Sequence, residues 1–225
     1  MTANSETKLR TPRAEDWNNF WSLDRTRQFT KVSWSKRRLV TLLRPYALAG
    51  RRALDAGCGS GFFSKFFCDQ GMAVTALDYA REALDIAGRM TEGRAALVQE
   101  DLLKPGLAGR MPARYDVIFT DGLFEHFSQG DQDAILSNLA GVLNENGVIV
   151  TVVPNKFSPW ELIRPFYMPG IDEKPFTMDR LIDLHKRAGL KLLAAGGLNT
   201  FPFRFSPDSL AGPVFGMLLY NIARK

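Results

Sequence analysis

Arg52-Ala53-Leu54-Asp55-Ala56-Gly57-Cys58-Gly59-Ser60-Gly61-Phe62-Phe63 reads as a short buried strand, a glycine-rich turn and the start of a helix. Glycines at alternate positions let the backbone turn sharply and come closer to a ligand than any Cβ would permit. The helix behind the turn presents unpaired N–H groups and a partial positive charge. A nucleotide or nucleoside is the expected occupant, at the carboxyl end of a strand in an open α/β sheet.

The glycine spacing separates two kinds of turn. Dinucleotide sites follow G-x-G-x-x-G, whereas Gly57, Gly59 and Gly61 give G-x-G-x-G with Asp55 two residues ahead. The run from Asp55 to Gly61 resembles the first motif of the class I S-adenosylmethionine-dependent methyltransferases. The resemblance implies S-adenosyl-L-methionine as cofactor and S-adenosyl-L-homocysteine as product. Gly57 and Gly59 would then offer backbone contacts to the methionine portion, Gly61 would complete the turn, and Asp55 would orient that portion.

Asp78 ends the next strand, Ala73–Asp78, seventeen residues past Gly61. A carboxylate there can accept hydrogen bonds from both hydroxyls of a ribose; its plainer role is to cap the helix that begins near Ala80. Tyr79 is then placed against adenine. Strand three is expected over Ala95–Leu102, and its end is similar to the family segment that reads the adenine amino edge. Asp101 with Leu102 takes that role, ahead of Glu100. Strand four, Tyr115–Thr120, leads into Asp121-Gly122-Leu123-Phe124-Glu125-His126-Phe127. By the resemblance, Thr120 and Asp121 face the methionyl part, and Phe124 to Phe127 face the methyl group. His126 is the candidate base, since its unperturbed pKa suits proton removal near neutrality. A histidine bonded to the backbone is the alternative. Glu125 would orient His126, bind a substrate amine, or form an ion pair. Ubiquinone-pathway O-methyltransferases hold a divalent cation with an acid three positions before that glutamate. Gly122 stands there, so no metal is expected.

Upstream, residues 1–13 are polar and aperiodic, a flexible tail. Residues 14–50 form helices, the first with Trp17, Phe20 and Trp21 on one face, as a lid or an anchor. Residues 51–225 are the main domain. After a helix over 131–143 and the turn Asn144–Gly147, Val148–Val153 reads as a central strand buried on both faces. Loop 154–176 contributes Trp160, Arg164 and Tyr167 to a substrate wall over the site, with Trp17, Trp21 and Phe124. Arg164 would meet an anionic group or solvent. A helix over 177–188, strand six at 191–196 and a last strand within 213–223 follow; His185, beside Lys186-Arg187, is placed at the surface. The expected fold is α/β, a Rossmann-like doubly wound sheet, mostly parallel with an antiparallel last strand and helices on both faces.

The remaining composition narrows function. Hydrophobic content of 45%, charged content of 24% and a net charge of +5 fit a soluble globular protein. The basic residues are scattered, with Lys36-Arg37-Arg38 read as a solvated helix face, so no nucleic-acid partner is expected. Two cysteines make no disulfide framework, no apolar run spans a bilayer, and no signal pattern opens the chain, which together point to the cytoplasm. No Asn/Asp-Pro-Pro-aromatic motif follows strand four, which speaks against base amines. The favoured acceptor is a small molecule with an apolar or aromatic body, methylated on O, N or C. The alternatives are a protein or RNA acceptor, or a silent cofactor-binding partner protein. The glycine spacing disfavours a nicotinamide oxidoreductase.

Overall fold

The computed structural model describes residues 13–167 and 173–225. The tail expected over residues 1–13 falls, save for Arg13, outside the described residues. Seven strands form one sheet: β1 (Arg52–Ala56), β2 (Ala73–Asp78), β3 (Ala96–Gln99), β4 (Tyr115–Asp121), β5 (Leu143–Pro154), β6 (Lys191–Leu198) and β7 (Leu218–Arg224). Their order is β3-β2-β1-β4-β5-β7-β6. β3, β2, β1, β4 and β5 pair in parallel, and β7 runs antiparallel between β5 and β6. The fold is the Rossmann-like α/β sheet that the sequence implies, and β7 is its antiparallel last strand.

The strands alternate between two cores, because successive side chains point to opposite faces. Leu54, Ile118, Ile149 and Val153 share one core with Ile135, Leu136 and Leu139 of α5 (Gln129–Gly141) and Leu181 and Leu184 of α7 (Met178–Arg187). Ala53, Val117, Phe119, Val150 and Val152 share the other. Its helical side comes from α2 (Trp34–Leu43), α3 (Phe62–Asp69) and α4 (Arg81–Met90), through Leu39, Leu43, Phe63, Phe67, Leu84 and Ala87. With both faces covered, β4 and β5 become near-continuous apolar runs. α1 (Ala14–Trp21) precedes these, α6 (Trp160–Tyr167) lies inside the expected loop 154–176, and α8 (Asp208–Phe215) precedes β7.

Several boundaries differ from expectation for local reasons. β5 begins at Leu143, and the expected turn Asn144–Gly147 is a bulge in which the register jumps from Tyr115↔Leu143 to Val117↔Val148. The Asn144 side chain holds it by donating to Asp116 at 2.9 Å. β3 stops at Gln99 because the Asp101 carboxylate accepts the Leu103 N–H at 2.9 Å, forming a turn. His185 is buried, not at the surface. Its Nδ1 donates to the Leu181 carbonyl at 3.0 Å, and Thr151 Oγ1 donates to its Nε2 at 3.1 Å. Burial lowers its pKa, so it is a neutral strut between α7 and the sheet. The signal was present, since positions 181, 184 and 185 share a helix face.

Gly61 fixes how closely the turn meets α4. Its φ is +73°, and a Cβ there would lie 2.6 Å from the Ala87 Cα. Gly61→Ala is expected to cost about 2–4 kcal/mol, combining left-handed strain with overpacking. Thermal melting of the variant checks this.

Candidate functional site

The parallel strands point their carboxyl ends at the glycine turn, and two adjoining cavities open there. One, of about 780 Å³, is lined by Asp78, Tyr79, Asp101 and Leu102. The other, of about 560 Å³, is lined by Asp55, Lys36, Glu125, Trp160, Arg164 and Glu173. Trp17, Trp21, Gly57, Asp121, Gly122 and His126 line both, and so mark the junction.

Local bonding explains the turn. The N–H groups of Gly57 and Cys58 both donate to the Leu77 carbonyl, at 2.8 and 2.9 Å. The Gly59 N–H donates to Asp78 Oδ2 at 3.0 Å, and Asp78 Oδ1 accepts the Ala80 N–H at 2.9 Å. The amides expected to reach a ligand are therefore occupied within the turn, and the glycines supply shape. At Gly59 an added Cβ would fall 2.6 Å from the Trp21 ring. Ser60 Oγ donates to the Phe29 carbonyl at 2.9 Å, tying the N-terminal segment to the turn. Trp21 and Phe29 meet edge to face with centroids 5.8 Å apart.

Charge is concentrated at the junction. Burial raises the Asp55 pKa to about 7, although Ser64 Oγ donates to its carboxylate at 2.6 Å. Burial raises Asp121 to about 6, with the Lys36 charge pulling the other way. Lys36 is lowered to about 8 by burial. Its ammonium lies 4.2 Å from the Phe62 ring centroid and donates to the carbonyls of Phe29 and Lys31. Glu125 is pushed well above the carboxylate range, first by burial and then by Glu173. Its Oε2 is buried without a hydrogen-bond partner. The His126 ring meets Trp17 edge to face, with centroids 4.8 Å apart. Glu125, His126 and Glu173 each place a ligand atom within 4.8 Å of the others. Glu173 thus brings to the pair the second acid that Gly122 lacks.

Comparison with known proteins fits this geometry. The pattern of a methyltransferase domain family matches residues 53–147. The ubiquinone biosynthesis O-methyltransferase of Burkholderia orbicola (strain MC0-3) is 36% identical over 94 residues, 41% of this chain and 40% of that protein. That of Burkholderia ambifaria (strain MC40-6) is 38% identical over 80 residues, 35% of this chain and 34% of that protein. The matched segment thus spans well under half the length of these curated relatives. Among solved structures, magnesium protoporphyrin IX methyltransferase from Synechocystis PCC 6803, with bound S-adenosylhomocysteine, superposes with a TM-score of 0.67. It covers 93% of this chain and 97% of that one at 16% identity. A putative methyltransferase in complex with the Haloferax volcanii Trm112 activator gives a TM-score of 0.70 at 14% identity, covering 93% and 97%. These two share the fold. Residues 53–147 thus carry the pattern of a methyltransferase domain on a fold shared with solved methyltransferases.

Within this site, not every expected residue reaches a cavity. Gly57, Asp55, Asp78, Tyr79, Asp101, Leu102 and Asp121 do. Thr120 does not: it is fully buried, its hydroxyl without a partner, because alternation along β4 turns it into the protein while Asp121 faces the cavity. Phe124 is also fully buried in the core beside Ile135, with its carbonyl accepting from Gln132 at 2.7 Å, so it is no part of the substrate wall. Trp17, Trp21 and Trp160 line cavities as expected. Arg164 lines the second cavity, yet its guanidinium pairs with Glu161 at 3.1 Å and Glu173 at 3.3 Å. Its charge is already met, so it braces the wall. The Tyr167 side chain lies outside the described residues. Lys36 and Glu173 were missed, the first because a basic run resembles a solvated face, the second because nothing local distinguishes it.

Proposed function

We propose that this chain transfers a methyl group from S-adenosylmethionine to an oxygen, nitrogen or carbon of a small-molecule acceptor. The observation that carries this reading is the pair of cavities meeting at Gly57, Asp121 and His126. The first cavity has the donor set of a nucleoside site: a buried carboxylate at Asp78 for a ribose diol, the Tyr79 ring, and Asp101 at a base edge. The second is walled by aromatics and includes the buried Glu125 in its lining, with Glu173 and Arg164. When bound, S-adenosylmethionine supplies an activated methyl group on a sulfonium.

The chain's own residues align, desolvate and move a proton. Asp55 and Asp121 are anionic anchors for the ammonium of the methionine portion. Trp17 and Trp21 of α1, each lining both cavities, act as a lid that excludes water from the junction. His126 takes the proton of the acceptor, and the Glu125 carboxyl group holds the acceptor by a hydrogen bond.

Calorimetric titration with S-adenosylmethionine and S-adenosylhomocysteine, with NADH as control, tests the reading. Binding of the first two alone is expected; binding of NADH, or of none of the three, would overturn it. The titration carries a further expectation. A cation placed beside Asp55 and Asp121 favours their ionised forms, so binding between pH 6 and pH 7 releases protons. Heats measured in buffers of different ionisation enthalpy should diverge there and converge well above both values. The linked stability effect has a definite sign. Folded Asp55 holds its proton from 3.8 up to about 7 while the unfolded residue does not. The free protein therefore loses stability as pH rises through that window.

A further inference from the structure

Three segments at the carboxyl end of β5 and β6 expose apolar side chains that the core does not use. Phe203 is 65% exposed, Phe205 82%, Leu210 86% and Leu162 80%, with Phe157 and Phe215 also above half. The segments are stitched together. Asn155 donates to the carbonyls of Val214 and Gly216 at 3.0 and 2.9 Å, and its own side-chain oxygen accepts the Phe157 N–H at 3.1 Å. Arg38 of α2 reaches Asn199, the Phe203 carbonyl and the Asp208 carboxylate. In α6, Trp160 and Arg164 face the second cavity four residues apart, which leaves Leu162 and Ile163 on the outer side.

Charge says what covers this rim. Residues 31–38, 155–164 and 199–217 hold seven basic side chains and two acidic ones, Glu161 and Asp208. Those acids pair with Arg164 and Arg38, and Lys36 is largely buried, which leaves Lys31, Arg37, Lys156 and Arg204 as exposed cations. Arg204 lies over the Phe205 ring at 5.7 Å and Arg37 over the Trp34 ring at 5.4 Å, so exposed aromatics and exposed cations alternate. A solvated face has no use for a Phe-Pro-Phe-Arg-Phe loop, and a large exposed apolar patch marks an interaction site. Aromatics that insert, interleaved with cations that meet headgroups, suit an anionic lipid surface.

We propose that this rim docks the protein on an anionic bilayer surface, with Phe203 and Phe205 inserted and Arg37 and Arg204 among the headgroups. The docking is peripheral; among the described residues no helix is long and apolar enough to cross a membrane. On the methyl-transfer reading, which the docking does not need, it sets the mouth of the second cavity at the lipid interface, since Val32, Trp160 and Met217 line that cavity.

Co-sedimentation of the full chain with phosphatidylcholine vesicles, with and without phosphatidylglycerol, tests it. Binding to the anionic vesicles alone is expected, weakening as salt rises. Phe203→Ser with Phe205→Ser should reduce the partition coefficient by about tenfold or more, since each buried ring contributes strongly. Arg204→Glu should reduce it on anionic vesicles. Thermal melts and S-adenosylhomocysteine titration of each variant show that the fold is kept. No sedimentation with either vesicle, or sedimentation untouched by the phenylalanine substitutions, would overturn the proposal. So would sedimentation equilibrium showing a dimer of the free protein that the same substitutions dissolve, because the rim would then join two copies.

Discussion

Asp78→Ala is expected to weaken S-adenosylhomocysteine binding by roughly 10²-fold or more. In the proposed ribose role, two hydrogen bonds from hydroxyls to a carboxylate would be lost, each contributing about 1.5–3 kcal/mol. The structure adds a second consequence. Asp78 accepts the N–H groups of Gly59 and Ala80, so its removal also frees the turn and the start of α4. A buried amide left without its acceptor costs about 1–3 kcal/mol, so a moderate loss of stability accompanies the loss of affinity. Asp78→Asn separates the two effects. It keeps one side-chain oxygen, which can hold Gly59 or Ala80, but it gives up the charge and one acceptor. Its melting point should lie between those of wild type and alanine, with affinity nearer to alanine. Calorimetry and thermal melting of the pair provide both numbers. Unchanged affinity in the alanine variant would leave Asp78 with the turn alone.

The difference between those roles shows what the sequence made legible. The glycine spacing, the interval to Asp78 and the apolar run of β5 are local patterns, and each predicts a local geometry that the fold contains. The parallel sheet and its single antiparallel strand follow from the alternation of strand and helix. The site was half legible for the same reason. Asp55, Gly57, Asp78, Asp101 and Asp121 sit at strand ends, and strand ends converge on one edge of a parallel sheet. Lys36 and Glu173 arrive from α2 and from the segment before α7, where only tertiary packing brings them to Asp121 and Glu125. Thr120 and Phe124 failed for the opposite reason. They flank cavity residues in sequence, but strand alternation and a tight turn direct them into the protein. Sequence spacing locates a backbone segment at a site; the side chain's direction is decided by its neighbours.

His126→Ala is the substitution expected to affect turnover most, by roughly 10²- to 10⁴-fold in kcat if it removes the acceptor's proton. Its place argues for more than packing. It is buried at the junction of both cavities, on the short turn Phe124–His126. Cofactor affinity should change little, because the nucleoside contacts are assigned to Asp78, Tyr79 and Asp101 and not to His126. A kcat that falls while the S-adenosylhomocysteine Kd stays level supports a base; falling affinity with preserved kcat would assign His126 to packing against Trp17. Its neighbours raise a third role, which a chelator tests. Glu125 and Glu173 lie close enough to join His126 around a divalent cation. Arg164, paired to Glu173 at 3.3 Å, already supplies positive charge to that group, and burial favours the protonated form of Glu125. Both weaken the donor set that a cation needs. Activity should therefore survive a chelator, and Glu125→Gln should keep measurable turnover while raising the acceptor KM, because a neutral amide can still donate to the acceptor. Loss of all activity to the chelator, restored by added magnesium or zinc, would make His126 a ligand and move the proton transfer elsewhere.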